Sequence, residues 1–164
     1  MHRGSWLLPV VLSAGLAAAC NKASSTSPAG VGPDAAMLSP AQQWIDAFNA
    51  ARTPLPEAVF AEDVVITDTF PPYVWSGKTA AHAWSEALNE GIHSPLLKRE
   101  HVETAAPRAF LINDAGDRVS FVLPATLTYE EDGKPYVVRA AWQFVLVKGA
   151  EGWRITADTW TRTD

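Results

Sequence analysis

The stretch Thr67-Asp-Thr-Phe-Pro-Pro-Tyr-Val-Trp-Ser-Gly77 ends the apolar run Val64-Val-Ile66 on one acid, Asp68, and follows it with Phe70, Tyr73 and Trp75. A carboxyl group withdrawn from water keeps its proton to higher pH, so an acid among these rings could hold a hydrogen-bonding ligand or accept a proton as a general base. The alternative is a strand-end acid that binds turn amides and does nothing further. Both readings stay open. His101 shares alternate positions with Arg99 and Glu103, and across a pocket from Asp68 it would complete a proton-transfer dyad. It can equally be a solvated strand residue. His82 and His93 read as surface, and Tyr129 offers a phenol that could assist Asp68.

The chemistry that is missing narrows the classes. His, Cys, Asp and Glu show no metal-ligand spacing, so no metal is expected. There is no Gly-rich phosphate loop and no serine-centred nucleophile elbow, and no cofactor is expected. The formal net charge of −5 makes nucleic acid and anionic lipid headgroups poor partners. Aromatic residues are plentiful instead. Trp44, Phe48, Trp84, Phe121, Tyr129 and Trp142 serve as core, or, with Phe70, Tyr73 and Trp75, line a site for a small apolar ligand.

Elements must position these groups. Ser39 can cap a helix with Pro40 in its first turn, and Trp44, Ala47, Phe48 and Ala51 fall on one face, with Asp46 and Asn49 on the wet side. Arg52 to Pro56 breaks that helix, Glu57 to Ala61 reads as a short second one, and Val64 to Thr69 as a strand. Ala80, Ala81, Trp84, Ala87 and Leu88 form the buried stripe of a third helix. Strands follow over Leu97–Ala105 and Arg108–Ile112, and then three long ones, from Val119 to Tyr129, Val137 to Val147 and Trp153 to Thr161, joined as a meander by Glu131-Asp-Gly133 and Lys148 to Gly152. Helices first and strands after give an α+β class.

The first residues carry an address. Arg3, the apolar stretch Trp6–Ala19 and the small residues before Cys20 read as a signal peptide over 1–19, too short to span as a membrane helix. Cys20 is the only cysteine of the 164 residues, so it has no disulfide partner within the chain. Leu16-Ala-Ala-Ala-Cys20 resembles the bacterial lipoprotein signal, with the leucine one place early; the resemblance implies an acylated Cys20 at the mature N-terminus. Residues 20–38, rich in Ser, Ala, Gly and Pro, read as a tether, and 39–164 as the folded domain. The expected location is the bacterial envelope, lipid-anchored and facing periplasm or exterior, with Asn21 leaning toward the outer membrane.

Phe60-Ala-Glu-Asp63 before the first strand, Trp75-Ser-Gly77 before the third helix and Gly152-Trp-Arg-Ile155 at the last strand, in this order, resemble the nuclear transport factor 2-like superfamily and its SnoaL-like group, over about Ser39 to Thr161. The resemblance implies a cone: a curved antiparallel sheet wrapped around three N-terminal helices, a pocket at its open end, and a homodimer through the outer sheet face. In the ketosteroid isomerase members an aspartate closing the first strand is the base, and Asp68 occupies that place. Their two enolate-stabilising donors fall at Trp44 and Trp142. Indoles are poor replacements, and each oxyanion donor typically supplies about 3 kcal/mol. Three functions follow: a lipid-anchored binder of a small apolar or aromatic molecule, a cofactor-independent isomerase, dehydratase or cyclase using Asp68, or a dimeric scaffold whose tryptophans fill the pocket.

Overall fold

A computed structural model of the chain describes residues 33–50, 56–91 and 97–164. The signal peptide, Cys20, most of the tether, the break at Arg52–Leu55 and His93 lie outside the described residues. Helix α1 (Ala35–Asn49) precedes a single 3-10 turn (Glu57–Val59), strands β1 (Phe60–Thr67) and β2 (Val74–Ser76), and helix α2 (Ala80–Gly91). Strands β3 (Leu97–Thr104), β4 (Arg108–Ile112), β5 (Arg118–Glu131), β6 (Lys134–Gly149) and β7 (Gly152–Arg162) complete the chain.

Helix α1 starts four residues before the expected Ser39, because Asp34 takes the cap: its carboxylate accepts from Ala36 N at 2.6 Å. Ser39, inside the helix, accepts from Gln43 Nε2 instead. The expected second helix is only the 3-10 turn. Phe60 already pairs with Ile155 of β7, and burying that ring in the sheet overrides the local helical pattern.

The strands form one open, curved sheet in the order β2-β1-β7-β6-β5-β3, with β4 beside the first half of β5. Most neighbours are antiparallel, as expected, but β1 and β7 run parallel, so the sheet is mixed. Parallel neighbours need a long connection between them, and here everything from β2 to β6 supplies it. Asp132 and Gly133, both at positive φ, make the tight β5–β6 turn that Asp-Gly favours.

Alternation along β5 and β6 sends Val119, Phe121, Leu123 and Ala125, and Val138, Ala140, Trp142, Phe144 and Leu146, to one face. Trp44 of α1 is wholly buried against that concave face, its ring 4.8 Å from Phe60 and 5.2 Å from Trp84. The core therefore lies between the helices and the inward face of the sheet. Among the described residues no helix is long and apolar enough to cross a membrane.

Candidate functional site

Asp68 follows β1 directly and continues the inward phase of Val64 and Ile66. A tight turn holds it there: its N–H donates to Tyr73 O at 3.1 Å, and Tyr73 N–H donates to Phe70 O at 2.8 Å. The carboxylate accepts from Thr69 N at 2.6 Å and Thr69 Oγ1 at 3.3 Å through Oδ1, and from Trp84 Nε1 at 3.0 Å through Oδ2. Burial raises its pKa above the usual carboxylate value, and the bonds from Thr69 and Trp84 restrain the rise.

Beside Asp68 lies a cavity of about 100 Å³. Phe48 of α1, Thr69 and Phe70 of the turn, and Trp84 and Leu88 of α2 form one wall. Glu100 and Val102 of β3, Leu127, Trp142 and Trp160 form the other. Every layer of the cone thus contributes.

A second acid lies behind this wall. Asp158 of β7 is 3% exposed and accepts from Trp142 Nε1 at 2.6 Å. Its pKa is raised to about 7, first by burial and further by the charge of Asp68, against the stabilising indole of Trp142 and a smaller contribution from Trp44. The Trp44 N–H acts on Asp158 through space: it is buried without meeting hydrogen-bond geometry with any acceptor. Asp68 lies in the cavity wall and Asp158 beneath it, where the charge of Asp68 adds to the rise that burial causes.

A register shift explains why Asp158 points inward. Leu146 pairs with Ile155 but Val145 with Ala157, so Thr156 is an extra residue in β7, its hydroxyl donating to Val145 O at 3.2 Å. Strict alternation from the buried Ile155 would put Ala157 and Thr159 inside. The bulge reverses the phase and turns in Asp158 and Trp160 instead. Sequence reading missed both, and only the oddity of an aspartate amid an aromatic, β-branched strand signals them.

Of the expected pocket residues, Phe48, Phe70, Trp84 and Trp142 line the cavity with Asp68. Others need correction. Tyr73 is 55% exposed, because at φ 72° the turn directs its ring to solvent. His101 is exposed and forms no dyad with Asp68: Glu100 and Val102 on either side of it face the cavity, so it stands on the outer face. Trp44 and Phe121 are core, and Trp75 is buried behind the cavity against Phe70. Tyr129 is no cavity residue; it stacks on Tyr136, 5.2 Å away across the β5–β6 hairpin. No group of His, Cys, Asp and Glu among the described residues could hold a metal ion.

Residues 41–157 match the SnoaL-like domain family. Among solved structures, the chain is similar to a type 2 hexachlorocyclohexane dehydrochlorinase (LinA), with 10% identity, TM-score 0.66, and 79% of this chain and 84% of that one covered. It is also similar to a ketosteroid isomerase-like protein from Erwinia carotovora atroseptica, with 18% identity, TM-score 0.62, and coverage of 79% and 95%. A domain of unknown function with a cystatin-like fold from Nostoc punctiforme is similar at 20% identity and TM-score 0.58, with coverage of 79% and 76%. These structural matches establish a shared fold. Comparison with curated proteins returned no significant match.

Proposed function

The chain belongs to the SnoaL-like domain family, and from that premise we propose that it is a lipid-anchored envelope protein whose cone binds a small, largely apolar or aromatic molecule beside Asp68. One observation carries this reading: an aromatic-walled cavity that keeps a partly desolvated carboxylate in its wall. Signal peptide, lone Cys20 and tether support the anchoring.

An enzymatic reading, with Asp68 removing a proton, draws support from its raised pKa and from the fold shared with a dehydrochlorinase and a ketosteroid isomerase-like protein. The donors weigh against it. Carbanion or enolate chemistry needs hydrogen bonds where negative charge develops. Here Trp84 and Trp142 aim their N–H groups at Asp68 and Asp158, and the exposed His101 cannot relay a proton. Binding is the better account.

Titrating the full chain with small phenols, indoles, aliphatic alcohols and alkylamines, while following tryptophan emission, tests the reading. Trp84, Trp142 and Trp160 line the cavity, so at least one class should quench or shift emission saturably, and Leu127→Trp, which fills the space, should abolish the response. No response from any class would overturn the proposal.

A further inference from the structure

The cavity wall is rich in π-systems and acids and poor in anything that welcomes negative charge. Phe48, Phe70, Trp84, Trp142 and Trp160 supply five rings, and no Lys, Arg or His lies among the lining residues. The side-chain donors of Thr69, Trp84 and Trp142 are turned onto carboxylates: Thr69 and Trp84 onto Asp68, Trp142 onto Asp158. A carbonyl or anionic ligand would find those donors taken, with the indole N–H of Trp160 the remaining side-chain donor of the wall. Asp68 Oδ2 holds a single hydrogen bond and keeps acceptor capacity. An anion bonded to an indole N–H also pushes electron density onto that ring, which strengthens its attraction for a cation.

We propose that the ligand is a small organic cation, an ammonium centre bearing methyl groups or short alkyl arms, held by ring contacts and by the charge of Asp68. This deepens the binding function proposed above and rests on it. The cavity of about 100 Å³ matches the size of a compact head of this kind. The alkyl groups satisfy the aromatic lining, and Asp68 balances the charge where water cannot.

The test compares isosteres on the unmodified full chain. Choline is titrated against the neutral alcohol in which a tert-butyl group replaces the trimethylammonium group, by calorimetry and tryptophan emission. Choline, or tetramethylammonium, should bind at least about tenfold tighter than the neutral isostere. Asp68→Asn, checked by circular dichroism for retained fold, should remove most of that preference, and binding should weaken as the pH is lowered and Asp68 and Asp158 take up protons. Equal binding of cation and isostere, or tighter binding of the neutral compound, would overturn the cation and leave the apolar pocket standing. Failure of both, together with failure of the phenol, indole and alcohol series, would overturn the pocket as well.

Discussion

Asp158 carries the largest electrostatic cost in the described part of the molecule. With its pKa raised from 3.8 to about 7, the folded protein holds a proton there that the unfolded chain has already released. Folding therefore gains from Asp158 fully only below about pH 4, and the gain is lost as pH rises through about 7. Asp68, also raised, acts with the same sign. The Asp158 shift corresponds to a change on the order of 4 kcal/mol. Asp158→Asn keeps an oxygen to accept from Trp142 but cannot ionise. Urea denaturation should show wild-type stability falling between about pH 4 and 7 while the variant stays much flatter, with the higher midpoint at pH 8. Parallel curves would mean that Asp158 titrates normally. The same residue shows the cost of an indole wall: Trp44 is fully buried with an N–H that lacks a bonded acceptor, a loss typically worth about 1–3 kcal/mol.

The elements were legible wherever one alternating set was apolar and the other was not. On β5 and β6 that contrast is clear, and the inward faces follow the sequence directly. On β3 it is absent. Lys98, Glu100, Val102 and Thr104 alternate with Leu97, Arg99, His101 and Glu103, and neither set declares itself core, so grouping His101 with Arg99 and Glu103 left the face undetermined. What decides it is Asn49, read from the helix pattern as wet. Its side chain donates to Val102 O at 2.9 Å and accepts from Val102 N at 2.7 Å, pairing the free edge of β3 with the end of α1. Phe48 and Val102 are thereby fixed as facing parts of the cavity wall. No local pattern announces a contact between residues so far apart in the chain, nor the bulge that turns Asp158 inward. Asn49→Ala would leave both backbone groups of Val102 unpaired at a half-buried edge. It should lower stability by roughly 1–3 kcal/mol, seen as a reduced denaturation midpoint, and speed hydrogen exchange at Val102. Unchanged exchange there would show that the latch is dispensable.

The whole molecule combines an address with an assembly, both inferred from sequence. If Cys20 is the acylated N-terminus, Cys20→Ser should move the protein from membrane to soluble fraction; retention of the fully processed variant on membranes would refute the anchor. The second inference concerns the outer face of β5, β6 and β7, proposed as a homodimer surface. Pro124 pairs with Ala141 and Ser120 with Val145 along its middle, giving a strip of small and β-branched side chains, half-buried within one copy. Val137 extends it, at 57% exposure. Sheets pack well through such strips because side chains from two faces interdigitate, and a stable pair buries about 800 Å² on each partner. Arg118 and Arg139 oppose this by adding exposed like charge, so association should tighten with salt. Sedimentation at micromolar concentration should show a dimer that Val145→Glu, placing a carboxylate mid-strip, converts to monomer while the near-ultraviolet spectrum of the tryptophan core is preserved. A monomer at every concentration and salt level would remove the dimer and leave each cone to bind its ligand alone.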